Sequence, residues 1–539
     1  MRDSLEMLKL SGSLAVVLAL RLAWDFAYAD PPSMNEPQAV ARPDQSHWSE
    51  ITFLDLAKQM RADCTSDTPQ LLRCTGPIQI VGLTKTSILG KGIRVRFLDS
   101  HAGKGGISLV NVSDVRIANL EIGWQSGGVR DPLIPGVQRL QSFGTVKPCG
   151  SQEIGGALIL DVPLDGSIPV DTISVWDDSL GWPWYPSSPD VFEVNLTNDS
   201  QITFSGGRSG CIPQLAKLVS RRVLVRHLYT THAFACENCK DVIVEKLRVT
   251  SAPGMGFVFE RGSSNIILRD NVIAPRCAPH CQSPEPSIFA DGAHFAGGKG
   301  NILIEGNDFG WNGDDSVNIT GLLLPARVGP VPGRDGLWLT VDNKWWSGRS
   351  WQLTLGSRIT IFDRSFLQLG QANIVAIEPT MHQLQVSPLP PNATDILIVC
   401  SDDVPKNVII RNNHFHDHRA RGILIGASDS LIENNAIERV TMAAILVPAD
   451  DGQNYEGPGA ENVIIRNNHF AAVNRHPNLP DYPSAISAGV ISDPLHKGQL
   501  GNPIQHIVVQ RNTFSDVYTN ANLPISFGKG VLDGRANDN

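Results

Sequence analysis

An apolar-alternating octet that returns nine times limits this 539-residue chain more than any other feature. It reads VRIANLEI from Val115, VLVRHLYT from Val223, VIVEKLRV from Val242, IILRDNVI from Ile266 and ILIEGNDF from Ile302. It continues as VIIRNNHF from Val408, SLIENNAI from Ser430, VIIRNNHF from Val463 and IVVQRNTF from Ile507. The sixth position is Leu120, Leu228 and Leu247, then Asn271, Asn307, Asn413, Asn435, Asn468 and Asn512. A leucine stack passing into an asparagine column is what the inward corner of a stacked solenoid requires, because each side-chain amide can bond the amide one coil above and below. The octets therefore predict an all-β protein, a right-handed parallel β-helix.

Most octets start 19 to 44 residues after the one before, the length of a solenoid coil, but two intervals exceed 100 residues. Each long interval implies an insertion of roughly 80 residues, too long for a structureless loop. The first, 124–215, holds the strand-like runs Ala157–Leu160 and Thr172–Trp176; the second, 321–403, holds Leu337–Val341, Gln352–Leu355 and Gln383–Val386. With Gly and Pro turns between the runs, both read as antiparallel, barrel-like β subdomains. The solenoid then occupies 30–123, 216–320 and 404–539. Helical spacing of Phe53, Leu54, Leu56 and Ala57 within Trp48–Met60, after Ser49, predicts a short helix capping the first coil's open edge. The polar end, Gly528 to Asn539, reads as a frayed tail.

The first 29 residues have the form of a secretory signal: Arg2 and Lys9, the apolar run Leu10 to Leu20, then the small-x-small site Ala27-Tyr28-Ala29. They predict a secreted or periplasmic protein that is not held in a membrane once they are removed. The nine cysteines that follow are then read as disulfides or buried thiols, Cys64 with Cys74 among them. Cys236-x-x-Cys239 with Cys277-x-x-x-Cys281 leaves a four-thiolate zinc site as the lesser alternative. A net charge of −9 argues against a nucleic-acid partner, which calls for a basic face.

Within this frame three aspartates stand out: Asp291 before Gly292, and the pair Asp314-Asp315 after Gly313. With Phe295 matched to Ile319, Asp291 and Asp315 lie four residues upstream in each case and occupy the same place on adjacent coils, with Asp314 alongside. Adjacent strands are about 4.8 Å apart, so the three carboxylates cluster, an arrangement that disfavours ionising all of them. Counting back four on other coils gives Met255, Arg421, Ala443 and Ser487. Arg421, one coil beyond Asp315 and near His416, His418 and Arg419, is placed to hold the aspartates ionised or to grip a substrate hydroxyl. His294 lies beside Asp291 or alternates inward from it, and Trp311 is the best placed of the tryptophans to stack on a sugar face.

Two carboxyl groups flanking a glycosidic bond are the minimal machinery of glycoside hydrolysis, one as acid and one as base or nucleophile. Crowding raises one pKa while its neighbour stays ionised, which needs no metal or cofactor. The ordered motifs Ser251-Ala252-Pro253-Gly254-Met255-Gly256, Asp291-Gly292-x-His294-Phe295, Gly313-Asp314-Asp315-x-Val317-Asn318-Ile319 and Arg421-Gly422-x-Leu424-Ile425 resemble family 110 α-galactosidases over roughly Ile78 to Phe514. More distantly they resemble family 28 polygalacturonases, whose Arg-Ile-Lys signature is not evident.

The resemblance implies that Asp314 is the general acid and that Asp291 and Asp315 hold the attacking water, with inversion at the anomeric carbon of a terminal galactose-like sugar. His294, Trp311, Asn318 and Arg421 would bind that carbohydrate. Thr320 stands where the family pattern leads one to expect a histidine. Inversion requires Asp314 to lie roughly 6.5–9.5 Å from at least one of the other two, and strand alternation would turn it away from them. Two other functions suit the same solenoid: a lyase using calcium on the aspartates with Arg421 as base, and a non-catalytic carbohydrate-binding β-helix.

Overall fold

The computed structural model describes residues 36–40, 42–60, 63–97, 105–124, 231–276, 287–391, 393–451, 454–474, 484–491, 501–517 and 523–539, together with backbone strands between 141 and 227. Residues 1–29, Leu228, Cys149, Cys211, Cys277 and Cys281 lie outside the described residues, and with them the signal reading.

A coil of the solenoid has three strands. In the coil that carries Asp314 they are Gly300–Glu305, Asp308–Gly310 and Val317–Thr320, with Asn307 at the first corner. Each pairs in parallel with its counterpart on the coils before and after, giving three long ladders. The third ladder starts at Ile78–Val81 and ends at Ile525–Phe527.

Alternation explains the packing. Val408 and Ile410 point inward and are fully buried, as are the aligned Ile302 and Ile304. Phenylalanines also stack along the interior, with Phe259 and Phe295 rings 4.6 Å apart. From Glu245 to Arg466 the fourth octet position alternates in charge from coil to coil, so that Arg411 meets Glu305 at 2.7 Å and Arg466 meets Glu433 at 2.9 Å.

The asparagine column is continuous. Asn307 donates from both its backbone and side-chain nitrogens to Asn413 Oδ1, each at 2.9 Å, and its side chain also donates to Leu268 O. The same pattern links Asn271 to Asn307, Asn413 to Asn435, Asn435 to Asn468 and Asn468 to Asn512. At the start Leu247 N donates to Asn271 Oδ1; at the end Asn539 accepts from both nitrogens of Asn512. The end of the chain is thus not frayed: Val531–Asn537 forms a last parallel rung, and Asn539 satisfies the amide the ladder would otherwise leave bare.

The expected capping helix is present over Phe53–Gln59, with Thr52 as its N-cap, after a strand at residues 49–52 that pairs with Thr86–Leu89. Three further expectations change. The octet from Val223 is not a coil, because Arg222–His227 pairs antiparallel with Val170–Asp177 and Gln141–Pro148 in a seven-stranded sheet. An alternating strand reads alike in either sheet, so the insertion runs on past 215. Closure into a barrel is found, among the described residues, only in the second insertion, through six strands from Leu324–Pro330 to Asp395–Cys400. There Gln352–Leu355 is no strand: a helix capped by Asp342 spans Asn343–Arg349 and a 3₁₀ turn spans Ser350–Gln352.

Disulfides join Cys64 to Cys74 and Cys236 to Cys239. The second bridge uses two of the four thiols that a zinc site would have needed. No helix among the described residues is long and apolar enough to cross a membrane.

Candidate active site

The site forms where the chain turns from the second strand of a coil into the third. Register is set by backbone bonds between successive turns: Gly256 N donates to Asp291 O, Gly292 N to Asp315 O at 2.7 Å, and Ser316 N to Arg421 O. Phe295 faces Ile319, as the sequence requires, so Met255, Asp291, Asp315 and Arg421 fall in one column. Further along, Ala443 is followed by Ser484 rather than Ser487, since Ile445 pairs with Ile486. In the other direction the column continues through His232, four residues before Cys236, to Gly105 and Gly76, positions the count from the sequence did not reach. Glycine at 292 is needed for the close stacking, because a Cβ there would sit 2.6 Å from Ser316 O.

One oxygen from each of Asp291, Asp314 and Asp315 lies within 4.8 Å of the others. Asp314 therefore does not turn away, and its nearest oxygen is closer to the other two than the roughly 6.5–9.5 Å that separates the carboxyl groups of an inverting pair. Residues 313 and 314 form a bend before the strand, where strand alternation does not operate. Each carboxylate has its own cationic or polar partner. Asp291 Oδ2 is 2.7 Å from His294 Nδ1, and Arg419 Nη1 donates to Asp314 Oδ2 at 3.1 Å and to Gly313 O. Asp315 Oδ1 accepts from both the backbone N and Nε of Arg421, at 2.9 and 2.8 Å. Asp315 Oδ2, buried, has no hydrogen-bond partner.

Electrostatics follows from depth. Burial pushes Asp315 up to about 8, with Arg421 opposing and the charges of Asp314 and Asp291 adding to the rise. Burial likewise raises Asp291 against the pull of His294. His294 is itself raised: burial works against its charge, but the hydrogen bond to Asp291 and the charges of Asp291, Glu456 and Glu260 together outweigh it. The trio is close enough for a cation, but His294, Arg419 and Arg421 already supply positive charge, and we assign no ion there. Behind the turn, buried His418 is pushed down to about 4 by burial; its Nδ1–H donates to Arg419 O, which leaves Nε2 to accept from Ser316 Oγ at 2.8 Å.

Asn318 pairs with His294 across the third ladder, so both face outward next to the aspartates. Its Nδ2 lies 3.4 Å from Glu456 Oε1, and its buried Oδ1 has no partner. Glu456 is a fourth carboxylate that no local motif announces; it comes from a loop two coils on, held by an antiparallel bridge to Leu322. Thr320 is wholly buried with its hydroxyl unpartnered. Trp311 has its ring edge on His416, 4.9 Å between centroids, outside the second ladder. Trp351 of the second insertion instead lies over Gly297, just past the strand Ala293–Ala296. A cleft of about 490 Å³ opens at the barrel's foot between Arg327, Thr340, Arg364, His382 and Tyr455, and none of the aspartates lines it.

Residues 354–493 match the family model described as right handed beta helix region. The chain is 26% identical over 321 residues to an alpha-1,3-galactosidase B of Phocaeicola vulgatus, covering 54% of this chain and 50% of that protein. It is 25% identical over 326 residues to an alpha-1,3-galactosidase B of Bacteroides thetaiotaomicron, covering 57% and 49%. The chain thus spans about half the length of the curated relatives it matches. The resemblance seen in the aspartate motifs and the similarity across these longer stretches point to the same group of proteins. Among solved structures, an exopolygalacturonase of Thermotoga maritima overlays with a TM-score of 0.33 at 13% identity, covering 89% of this chain and 88% of that one.

Proposed function

We propose that the protein is an exported glycoside hydrolase that removes a terminal, α-linked galactose-like sugar with inversion, an outcome supported by the motif resemblance and not by the carboxylate spacing. The convergence of Asp291, Asp314 and Asp315 on one point of the outward face carries the reading, since it supplies both a protonated and an ionised carboxyl group. Asp314, the most exposed of the three, is the general acid, reaching the leaving oxygen while Arg419 orients it. Asp291 and Asp315, adjacent in the column, hold the attacking water. Asn318, His294 and Glu456 provide donors and acceptors for sugar hydroxyls. The curated relatives named alpha-1,3-galactosidase favour galactose, and the two disulfides favour an oxidising compartment. Arg421, bound to Asp315, is poorly placed to act as a lyase base.

Proton NMR during hydrolysis of a terminal α-galactoside tests the proposal. The β-anomer of galactose should form first. The α-anomer forming first would reject inversion, and no galactose release from a panel of α-galactosides would reject the activity.

A further inference from the structure

Outside the candidate active site, a second group of chemically able side chains sits on the outward face of the second ladder. His414 and His416 alternate on the strand His414–His418 and so share a face, with stacked rings 4.2 Å apart. Asp308, on the preceding coil, lies opposite His414 in register. Asp308 Oδ1 is 2.9 Å from His416 Nε2 and 3.3 Å from His414 Nδ1. Zinc bonds nitrogen and oxygen at about 2.0–2.2 Å, so neighbouring ligand atoms stand about 2.9 Å apart in an octahedral shell and about 3.4 Å apart in a tetrahedral one. Both separations fall in this range.

The far nitrogen of His416 is held as in metal-binding imidazoles. His416 Nδ1 is 2.7 Å from Asp417 Oδ2, and Asp417 is held through both oxygens by Arg439 at 2.7 Å each. His414 Nε2 faces Glu438 Oε2 at 3.8 Å, and Glu438 lies opposite His416 on the next coil. The hydrogen bond to Asp417 fixes the His416 tautomer and turns its Nε2 lone pair toward Asp308, while Glu438 lies near His414 Nε2 beyond hydrogen-bond range. With half the Asp308 side chain exposed, the remaining coordination positions open to water.

We propose that Asp308 Oδ1, His414 Nδ1 and His416 Nε2 form a site for a divalent first-row transition ion, with zinc as its probe. The ion takes the place of the proton that otherwise bridges His416 and Asp308, and binding releases it. Its position is structural: it joins the two strands that lead directly into the turns carrying Asp314 and Arg419, beside Trp311.

Isothermal titration of the full chain with zinc, after chelator treatment and dialysis, tests the site. One zinc per chain should bind with a sub-micromolar Kd. Asp308→Ala and His414→Gln, both at half-exposed positions, should each weaken it at least tenfold. Zinc should raise the Tm of the native chain but not of these variants, and Asp291→Asn should leave the binding intact. Absence of stoichiometric binding up to 100-fold excess zinc would overturn the proposal. So would unchanged affinity in both variants, or loss of binding in Asp291→Asn alone, which would place the ion on the active-site aspartates.

Discussion

The acidic turn of the third ladder and the histidine cluster of the second use the same side chains to opposite ends. Around Asp315 the walls are protein, and burial outweighs Arg421 to push the carboxyl up to about 8. Around Asp417, burial also works against the charge, yet Arg439 and His416 pull the carboxyl down to about 2. Asp308 is likewise lowered, against burial, by His414 and His416. Depth and the ratio of cations to carboxylates decide which groups keep a proton. The first arrangement suits proton transfer, and the second suits permanent charge.

Removing the acid should have the largest effect. Asp314→Asn is expected to lower kcat on an unactivated galactoside about 10²–10⁴-fold, the usual worth of a general acid. Aryl galactosides with good leaving groups should lose much less, while Asp291→Asn or Asp315→Asn should harm both substrate types alike. Equal losses on the two substrates for Asp314→Asn would take the acid's role from it.

Breaking the buried pair should come next. Arg421→Ala leaves Asp315 with only backbone N–H donation, and losing one partner of a buried ion pair costs about 3–5 kcal/mol. A proton can neutralise the stranded carboxylate, so the loss measured by denaturant unfolding should be large at pH 9 and less than half as large at pH 5. A loss independent of pH would mean that Asp315 stays ionised throughout.

Much of this contrast was legible in the sequence. The asparagine at the sixth octet position marked the coil corner, and counting back four from the matched Phe295 and Ile319 put Asp291, Asp315 and Arg421 into one column. The column is readable because parallel strands in register convert equal sequence offsets into adjacency in space. What escaped was whatever the repeat does not govern. Asp314 sits in a bend, so strand alternation mispredicted its direction; Glu456 arrives from a loop whose path no periodicity encodes. Trp311 meets His416 and Trp351 meets Gly297 because of turn and insertion geometry. The octet at Val223 misled because alternation is common to antiparallel and parallel strands alike.

More gradual, and opposite in sign on the two sides, is the response to pH. Asp315 titrates near 3.9 when unfolded and near 8 when folded, so between these values the folded chain binds the extra proton. Stability then falls as pH rises through this window, by at most about 1.4 kcal/mol per pH unit for one proton. Asp315→Asn should flatten the decline between about pH 4 and pH 8, making the variant relatively more stable at the upper end. Denaturant midpoints at each pH check this, and a slope identical to that of the native chain would remove Asp315 as its source.

The smallest effect should come from the surface counterpart of Arg421. Arg439 also grips an aspartate, through two hydrogen bonds to Asp417, but its own side chain is 38% exposed where that of Arg421 is 15% exposed. Water reaches the guanidinium, screens the attraction and resolvates Asp417 when the arginine is removed, so exposed pairs of this kind contribute only about 0–1 kcal/mol. Arg439→Ala is therefore expected to cost less than about 1 kcal/mol, with little change between 50 mM and 500 mM salt in the contrast with Arg421→Ala. The cause is desolvation rather than hydrogen-bond count, since Asp315 and Asp417 each accept two bonds from their arginine. Unfolding both variants in parallel at pH 8 gives the difference directly. Comparable losses in the two would show that depth does not set the balance, and the account of the raised Asp315 would fail with it.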